Sequence, residues 1–92
     1  NYADVVEKTG GPKVIAHLMY RPADFFRTHP KTYAWMQTKA DDMKMMQESP
    51  EEYAKREWKR TGQQISSGYA KYKQGMRVLS FMQELNQRYG SE

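Results

Sequence analysis

The sequence contains no cysteine and no apolar run near the roughly 20 residues that a membrane-spanning helix needs. Without cysteine, disulfide bridges and thiolate-bound metal sites are excluded. We expect a soluble chain, with a mild preference for a reducing intracellular compartment. No segment at the start has the pattern of a signal peptide. Because Asn1 stands where an initiator Met is expected, the sequence predicts a processed chain or a fragment of a longer one.

Aliphatic residues are also scarce, since Leu, Ile and Val together number only nine of the 92 residues. The chain instead has seven Tyr, two Trp and seven Met, which bring large contact areas and adaptable shapes. Such side chains are also favoured at protein interfaces. The composition therefore predicts a marginal core that a partner completes, in a single small helical domain (1–92) or a fragment of a larger assembly subunit.

Proline and glycine divide the first third of the chain into short elements. Residues 2–9 are expected to form one helical turn. Pro12 suits the first position of a helix, because its missing N–H would be unpaired there in any case. Pro22 is expected to close that helix and to open a short turn over residues 22–28. The apolar stripe of the helix that begins at Pro12 is formed by Val14, Ile15, Leu18 and Met19.

Apolar residues three or four positions apart predict a helix from Pro30 to about Gln47. The strongest local signal follows it. Ser49 can cap a helix, Pro50 can occupy its first position, and Glu52 can complete a capping box. Because this connection is short, the two helices are expected to be antiparallel neighbours. The sequence predicts an all-α fold, with short N-terminal helices and an antiparallel hairpin of residues 30–47 and a long helix, about 50–89.

The length of the second helix is inferred from a heptad pattern over residues 54–89. This pattern passes through Gly62 without a change of phase, which favours one continuous helix. The alternative is a helix that ends near Thr61, with Gly62 as its C-cap, and a second helix from about Gln63. The a positions are Trp58, Ile65, Tyr72, Leu79 and Asn86, and the d positions are Ala54, Thr61, Gly68, Gly75, Met82 and Tyr89.

This a/d seam is the predicted partner-binding surface. Gly68 and Gly75 would let another backbone approach closely, and residues 30–47 are long enough to cover only the first half of the long helix. Phe81 falls outside the seam and is expected to be exposed, as part of a second contact surface. The predicted partner-binding residues are Trp58, Ile65, Gly68, Tyr72, Gly75, Leu79, Phe81 and Met82.

No catalytic constellation is recognisable in the sequence. His17 and His29 do not have the spacing of metal ligands on a helix. The adjacent carboxylates at 41–42 and 51–52 are better explained as surface charge and helix capping than as an acid–base pair in a pocket. The glycines within residues 8–13 lack the spacing of a phosphate-binding loop. We therefore expect a protein that is not an enzyme, with no catalytic residue, metal ion, cofactor or small-molecule substrate.

Positive charge is concentrated between Lys55 and Arg77. This segment contains seven basic residues and one acidic residue, Glu57. In the heptad frame, five of them point away from the seam and form a stripe suited to phosphate contacts. Aromatic residues are not expected to interleave with this stripe, which argues against base stacking. The candidate phosphate-binding residues are Arg56, Lys59, Arg60, Lys73 and Arg77.

These features favour a structural or interaction subunit that docks into a larger protein assembly through aromatic- and Met-rich helix surfaces. The alternative is a basic accessory protein that binds nucleic-acid phosphates through the outer face of the long helix. Other protein chains are therefore the first expected partners, and nucleic acid is the second.

Overall fold

The computed structural model describes residues 12–92, which contain six helices and no strand. The helices are α1 (Pro12–Tyr20), α2 (Pro22–Thr28), α3 (Pro30–Gln37), α4 (Ala40–Met46), α5 (Pro50–Thr61) and α6 (Ser67–Ser91). The predicted all-α class is confirmed, whereas the turn predicted at residues 2–9 lies outside the described residues. None of the described helices has both the length and the apolar character of a membrane span.

The predicted helix starts at Pro22, Pro30 and Pro50 are confirmed. A proline at the first helical position loses no intrahelical hydrogen bond. At the start of α5, the Ser49 hydroxyl accepts a hydrogen bond from the backbone N–H of Glu52 at 3.2 Å and donates one to Glu52 Oε1 at 3.1 Å. This serine therefore caps α5 as the sequence predicts.

The continuous helix predicted over residues 50–89 is wrong, because the chain breaks after Thr61. Gly62 adopts the left-handed conformation at φ 74°, and its N–H donates to Trp58 O at 2.8 Å. The next helix begins after Ser66, whose hydroxyl accepts from the backbone N–H of Tyr69 at 3.1 Å. These caps satisfy backbone groups at both helix ends, and this local effect outweighs the heptad phase. The alternative with a break after Thr61 is the observed one, although α6 begins at Ser67 rather than near Gln63.

The helix predicted over residues 30–47 is also divided, at Thr38 and Lys39. The backbone N–H and the hydroxyl of Thr38 both donate to Trp35 O, at 2.9 and 2.6 Å. The chain thereby tightens into a turn at the end of α3 before α4 begins.

The longest of the described helices is α6, which has 25 residues and is about 37 Å long. The loop of residues 62–66 returns the chain, so that α5 packs antiparallel against the first part of α6. α1, α3 and α4 contact α6 as well. The helical hairpin at the centre of the molecule is therefore formed by α5 and α6.

The core face of α6 differs from the predicted seam. Its residues lie three or four positions apart, and on a helix that advances about 100° per residue they are rotated by roughly 100° from the a/d positions. Phe81 and Met82 were predicted at a partner surface, and this is wrong, because they are 5% and 1% exposed within the core. The buried residues of α6 are Ala70, Gln74, Val78, Phe81, Met82 and Leu85.

Polar contacts fasten the end of α6 to the N-terminal helices. His17 Nδ1 lies 2.7 Å from Tyr89 Oη, and His17 Nε2 lies 2.8 Å from Asp24 Oδ2. The Glu92 carboxylate accepts from the backbone N–H and the hydroxyl of Thr32, at 2.8 and 2.6 Å, in the first turn of α3. The second half of α6 was expected to be covered in part by residues 12–28 and for the rest by a partner chain. Contacts with α1 and α3 of the same chain are observed there.

Candidate functional site

A cavity of about 660 Å³, which we call the α5–α6 groove, lies where α5 and α6 pack together. Its lining combines four cations and two carboxylates with three tyrosines and one methionine. The lining residues are Asp41, Tyr53, Arg56, Glu57, Arg60, Tyr69, Tyr72, Lys73, Met76 and Arg77. The groove is amphipathic, since aromatic rings and cations share its walls.

Tyr53 and Glu57 form the buried part of the groove, one turn apart on α5. The Tyr53 hydroxyl donates to Glu57 Oε1 at 3.0 Å, and Arg60 Nε donates to Glu57 Oε2 at 2.6 Å. The hydrogen bonds from Arg60 and Tyr53 hold the pKa of Glu57 below its ordinary value, although burial opposes this. Burial raises the pKa of Tyr53. At neutral pH the site therefore holds an ionised carboxylate and a neutral phenol.

Two arginines of the groove are anchored by acidic residues on or beside α4. Arg56 Nη2 lies 2.7 Å from Glu48 Oε1, and Arg77 Nη2 lies 2.6 Å from Asp42 Oδ1. Their guanidinium carbons lie 5.7 and 6.0 Å from the centroid of the Tyr53 ring. The ring is thus in cation–π range of both arginines. These contacts fix the walls of the groove and partly neutralise its charge.

The rim of the groove is formed by exposed side chains of α6. Tyr69, Tyr72 and Met76 are 50%, 64% and 48% exposed, and their spacing places them on the side of α6 opposite its core face. The rings of Tyr69 and Tyr72 are stacked at 6.4 Å. Lys73 Nζ lies 5.4 Å from the Tyr69 ring, and the Arg60 side chain is 67% exposed. The rim therefore presents an apolar row beside two accessible cations.

The structure brings together four of the five predicted phosphate-binding residues. Lys59 is exposed on α5 but does not line the groove. The expectation that aromatic residues do not interleave with these cations is wrong, since three tyrosines line the same groove. It is wrong because the break at Gly62 turns α6 back along α5 and so changes which residues face one another. The four that line the groove are Arg56, Arg60, Lys73 and Arg77.

The predicted partner-binding residues are dispersed. Ile65 packs against the core from the α5–α6 loop, and Trp58 is half exposed on α5. Phe81 and Met82 are buried, as described above. The remaining four lie together on the outer face of α6, where they are exposed or half-buried. These four are Gly68, Tyr72, Gly75 and Leu79.

Sequence reasoning missed Tyr53, Tyr69 and Met76 as site residues. Tyr69, Tyr72 and Met76 are spaced at i, i+3 and i+7, which is a helical stripe that the sequence does contain. With Ser66 taken as the N-cap of a helix that starts at Ser67, these three residues fall on one face of that helix. For Tyr53 the sequence carries no comparable signal, because its place in the groove depends on Arg77 and on α6.

Within residues 12–92, no group of three or more His, Cys, Asp or Glu side chains is arranged to hold a metal ion. No known protein family, curated protein or solved structure matches this chain.

Proposed function

We propose that this chain is a non-enzymatic interaction module, on which another protein docks through the outer face of α6 and the rim of the α5–α6 groove. The observation that carries this proposal is the exposed row of Tyr69, Tyr72 and Met76 on a helix whose opposite face fills the core. Tyr and Met are enriched at protein interfaces, and clustered exposed apolar side chains mark interaction sites.

The row is carried by a helix that is held firmly in the fold. Gln74 lies between Tyr72 and Met76 but points into the core, where its Nε2 donates to Met45 O and Glu48 O at 3.1 and 2.8 Å. A partner that docks on such a surface orders few additional groups, which lowers the entropic cost of binding. The fixed position of α6 therefore supports a docking role.

The two glycines on the outer face of α6 support the same proposal. A glycine in a helix interior, the position of Gly75, costs about 1 kcal/mol relative to alanine, whereas Gly68 lies in the first turn of α6. A Cβ atom built on Gly68 or Gly75 has no neighbour within 4 Å, so packing among the described residues does not account for either glycine. The backbone of a docked partner approaching this face would account for both.

A photo-crosslinking experiment tests the proposal. p-Benzoylphenylalanine is placed at position 72, and at position 26 as a control on another surface. A protein that is captured from source-cell extract only through position 72 is then purified, and its affinity for the unmodified chain is measured by calorimetry. We expect Tyr69→Ser combined with Met76→Ser to weaken binding by at least about tenfold, and Phe26→Ser to change it less than about twofold.

Two measurements decide the outcome, namely the folding of the variant chains and their affinity for the captured protein. Far-UV circular dichroism and urea unfolding verify that the variant chains are folded. If the folded double variant binds the captured protein as tightly as the original chain does, the outer face of α6 is not the docking surface and the proposal is wrong.

Nucleic-acid binding is the second candidate, and the pair of exposed rings beside Lys73 and Arg60 favours it. Stacked bases on aromatic side chains and phosphates on cations are the usual elements of single-strand recognition. The proposal of protein docking is preferred because Arg56, Arg60 and Arg77 already contact carboxylates. Fluorescence anisotropy with an oligothymidylate of about 12 nucleotides, in a salt series, tests this candidate.

If phosphates bind in the groove, affinity must fall steeply with salt, with a log–log slope of about 0.7 for each phosphate contact. Lys73→Gln combined with Arg60→Gln would then reduce this slope. An oligonucleotide that does not bind even at low salt would exclude the second candidate.

A further inference from the structure

We propose that the segment that docks on the α5–α6 groove is an acidic, amphipathic α-helix. This inference depends on the proposed docking function and specifies the chemistry of the partner. It is carried by the charge of the two helices, by the arrangement of the exposed row, and by the carboxylates that line the groove.

The charge of the groove selects an acidic partner. The segment from Lys55 to Arg77 has seven basic residues and one acidic residue, and both rim cations lie next to the exposed row. Arg60 contacts Glu57 through Nε, one of the five N–H donors that an arginine offers. Lys73 lies above the Tyr69 ring at the edge of the groove. Carboxylates of a partner at these two positions would be electrostatically complementary, whereas a basic partner would be repelled.

A second copy of this chain is a poor occupant for the same reason. In a symmetric dimer the same surface contacts itself, so the α6 outer face would meet another α6 outer face. The cations of each groove rim, Arg60 and Lys73, would then approach those of the other chain. Like charges brought together at an interface disfavour association.

The shape of the surface favours a helical partner segment. Tyr69, Tyr72 and Met76 run about 10 Å along α6, at the spacing with which one helix presents apolar residues to another. Two antiparallel helices form a groove into which a third helix can place its own i, i+3 or i+4, and i+7 residues. An extended strand instead needs a sheet edge with unpaired backbone groups, and the backbone of a helix pair is bonded internally.

The carboxylates of the groove favour a helix over a nucleic-acid strand. Glu57 and Asp41 lie among the lining residues, and Glu57 is ionised at neutral pH. A regular series of phosphates along the groove would approach both carboxylates. A helix places acidic residues only where its sequence has them, so that they meet Arg60 and Lys73 while apolar residues meet Tyr72 and Met76.

The test uses three synthetic helical peptides of about 18 residues, or five turns. The first has Leu at i, i+4, i+7 and i+11 with Glu beside this stripe, the second has Lys in place of every Glu, and the third is a scramble of the first without an amphipathic face. Binding to the full chain is measured by calorimetry, and the contact surface is mapped by NMR amide shifts. We expect the Glu peptide to bind at least about tenfold more tightly than either of the others. We also expect it to shift the amides of Gly68, Tyr69, Lys73 and Met76.

Matched variants of the chain locate the charge contacts. Arg60→Gln combined with Lys73→Gln should weaken binding of the Glu peptide by at least about tenfold. Lys13→Gln combined with Lys44→Gln changes the net charge equally at two exposed positions on α1 and α4, and should weaken binding by less than about threefold.

The inference is overturned if the Lys peptide binds as tightly as the Glu peptide, or if the Glu peptide does not bind at about millimolar concentration. It is also overturned if oligothymidylate displaces the Glu peptide from the groove and binds more tightly. Should a protein captured through position 72 still depend on Tyr69 and Met76, the docking surface stands and only the proposed partner chemistry fails. If that dependence is absent as well, the proposed function fails with it.

Discussion

At the scale of single residues, Phe81 contributes strongly to a core that has few aliphatic side chains. It is almost fully buried and stacks on Trp35 with ring centroids 5.5 Å apart. Phe81→Ala should therefore lower the free energy of unfolding by about 3–5 kcal/mol, measured by urea denaturation. Tyr72→Ala is the control, and should change it by no more than about 0.5 kcal/mol because Tyr72 is exposed. Equal effects of both substitutions would contradict the burial of Phe81.

The hydrogen bond from Tyr53 to Glu57 makes a second prediction at this scale. Tyr53→Phe removes a donor to a buried carboxylate, which should cost about 1.5–3 kcal/mol of unfolding free energy. It should also raise the pKa of Glu57, because this hydrogen bond stabilises the ionised form. Carbon-13 NMR titration of the Glu57 carboxyl group measures the shift. Tyr69→Phe, at an exposed position of α6, should leave both quantities unchanged.

At the scale of elements, two glycine substitutions test the break between α5 and α6, because the break predicts that they change stability in opposite directions. Gly62→Ala places a side chain at φ 74°, where residues other than glycine are disfavoured by about 1–2 kcal/mol, so the chain should be destabilised. Gly75→Ala, in the interior of α6, adds a Cβ that meets no described neighbour within 4 Å, so it should stabilise α6 by about 0.5–1 kcal/mol. In a helix continuous through residue 62, both substitutions would be stabilising. Thermal unfolding followed by circular dichroism distinguishes the two cases.

The start and the end of α5 show which helix boundaries local sequence signals can predict and which they cannot. The start of α5 was predictable because Ser49, Pro50 and Glu52 act within one helical turn. The end of α5 was signalled by Gly62, but the heptad pattern suggested continuity across it. That pattern was a coincidence of spacing, since a heptad describes burial only where a neighbouring helix lies on the a and d positions.

At the scale of the whole molecule, carboxylates that fasten α6 and the N-terminal helices make stability depend on pH. Hydrogen bonds from Arg27 and then His17 hold the pKa of Asp24 below its ordinary value of 3.8. For Glu92, burial opposes the shift, but hydrogen bonds from Thr32 outweigh it and keep the pKa below 4.5. A carboxyl group whose pKa is lower in the folded state stabilises the fold above its unfolded pKa, and this contribution is lost as pH falls through the folded pKa.

We therefore expect the urea midpoint to fall as the pH drops below about 4.5, as these groups become protonated. Glu92→Gln should lower the midpoint at neutral pH and make the decline below pH 4.5 shallower than in the original chain. A variant whose acid profile has the original slope would show that Glu92 does not carry this dependence. Gln87→Lys, which changes the net charge by the same +1 at an exposed position of α6, controls for a general effect of charge.

The sequence by itself determined the helical class, the helix starts at Pro22, Pro30 and Pro50, and the concentration of cations between Lys55 and Arg77. These features depend on contacts within a few residues or on composition. Only the tertiary structure decided which face of α6 is buried, so that Phe81 belongs to the core and Tyr69 to the surface. It also decided that tyrosines and cations share one groove. The physical reason is that burial and groove formation depend on how distant helices pack, and the spacing of residues along one helix does not specify the position of the next.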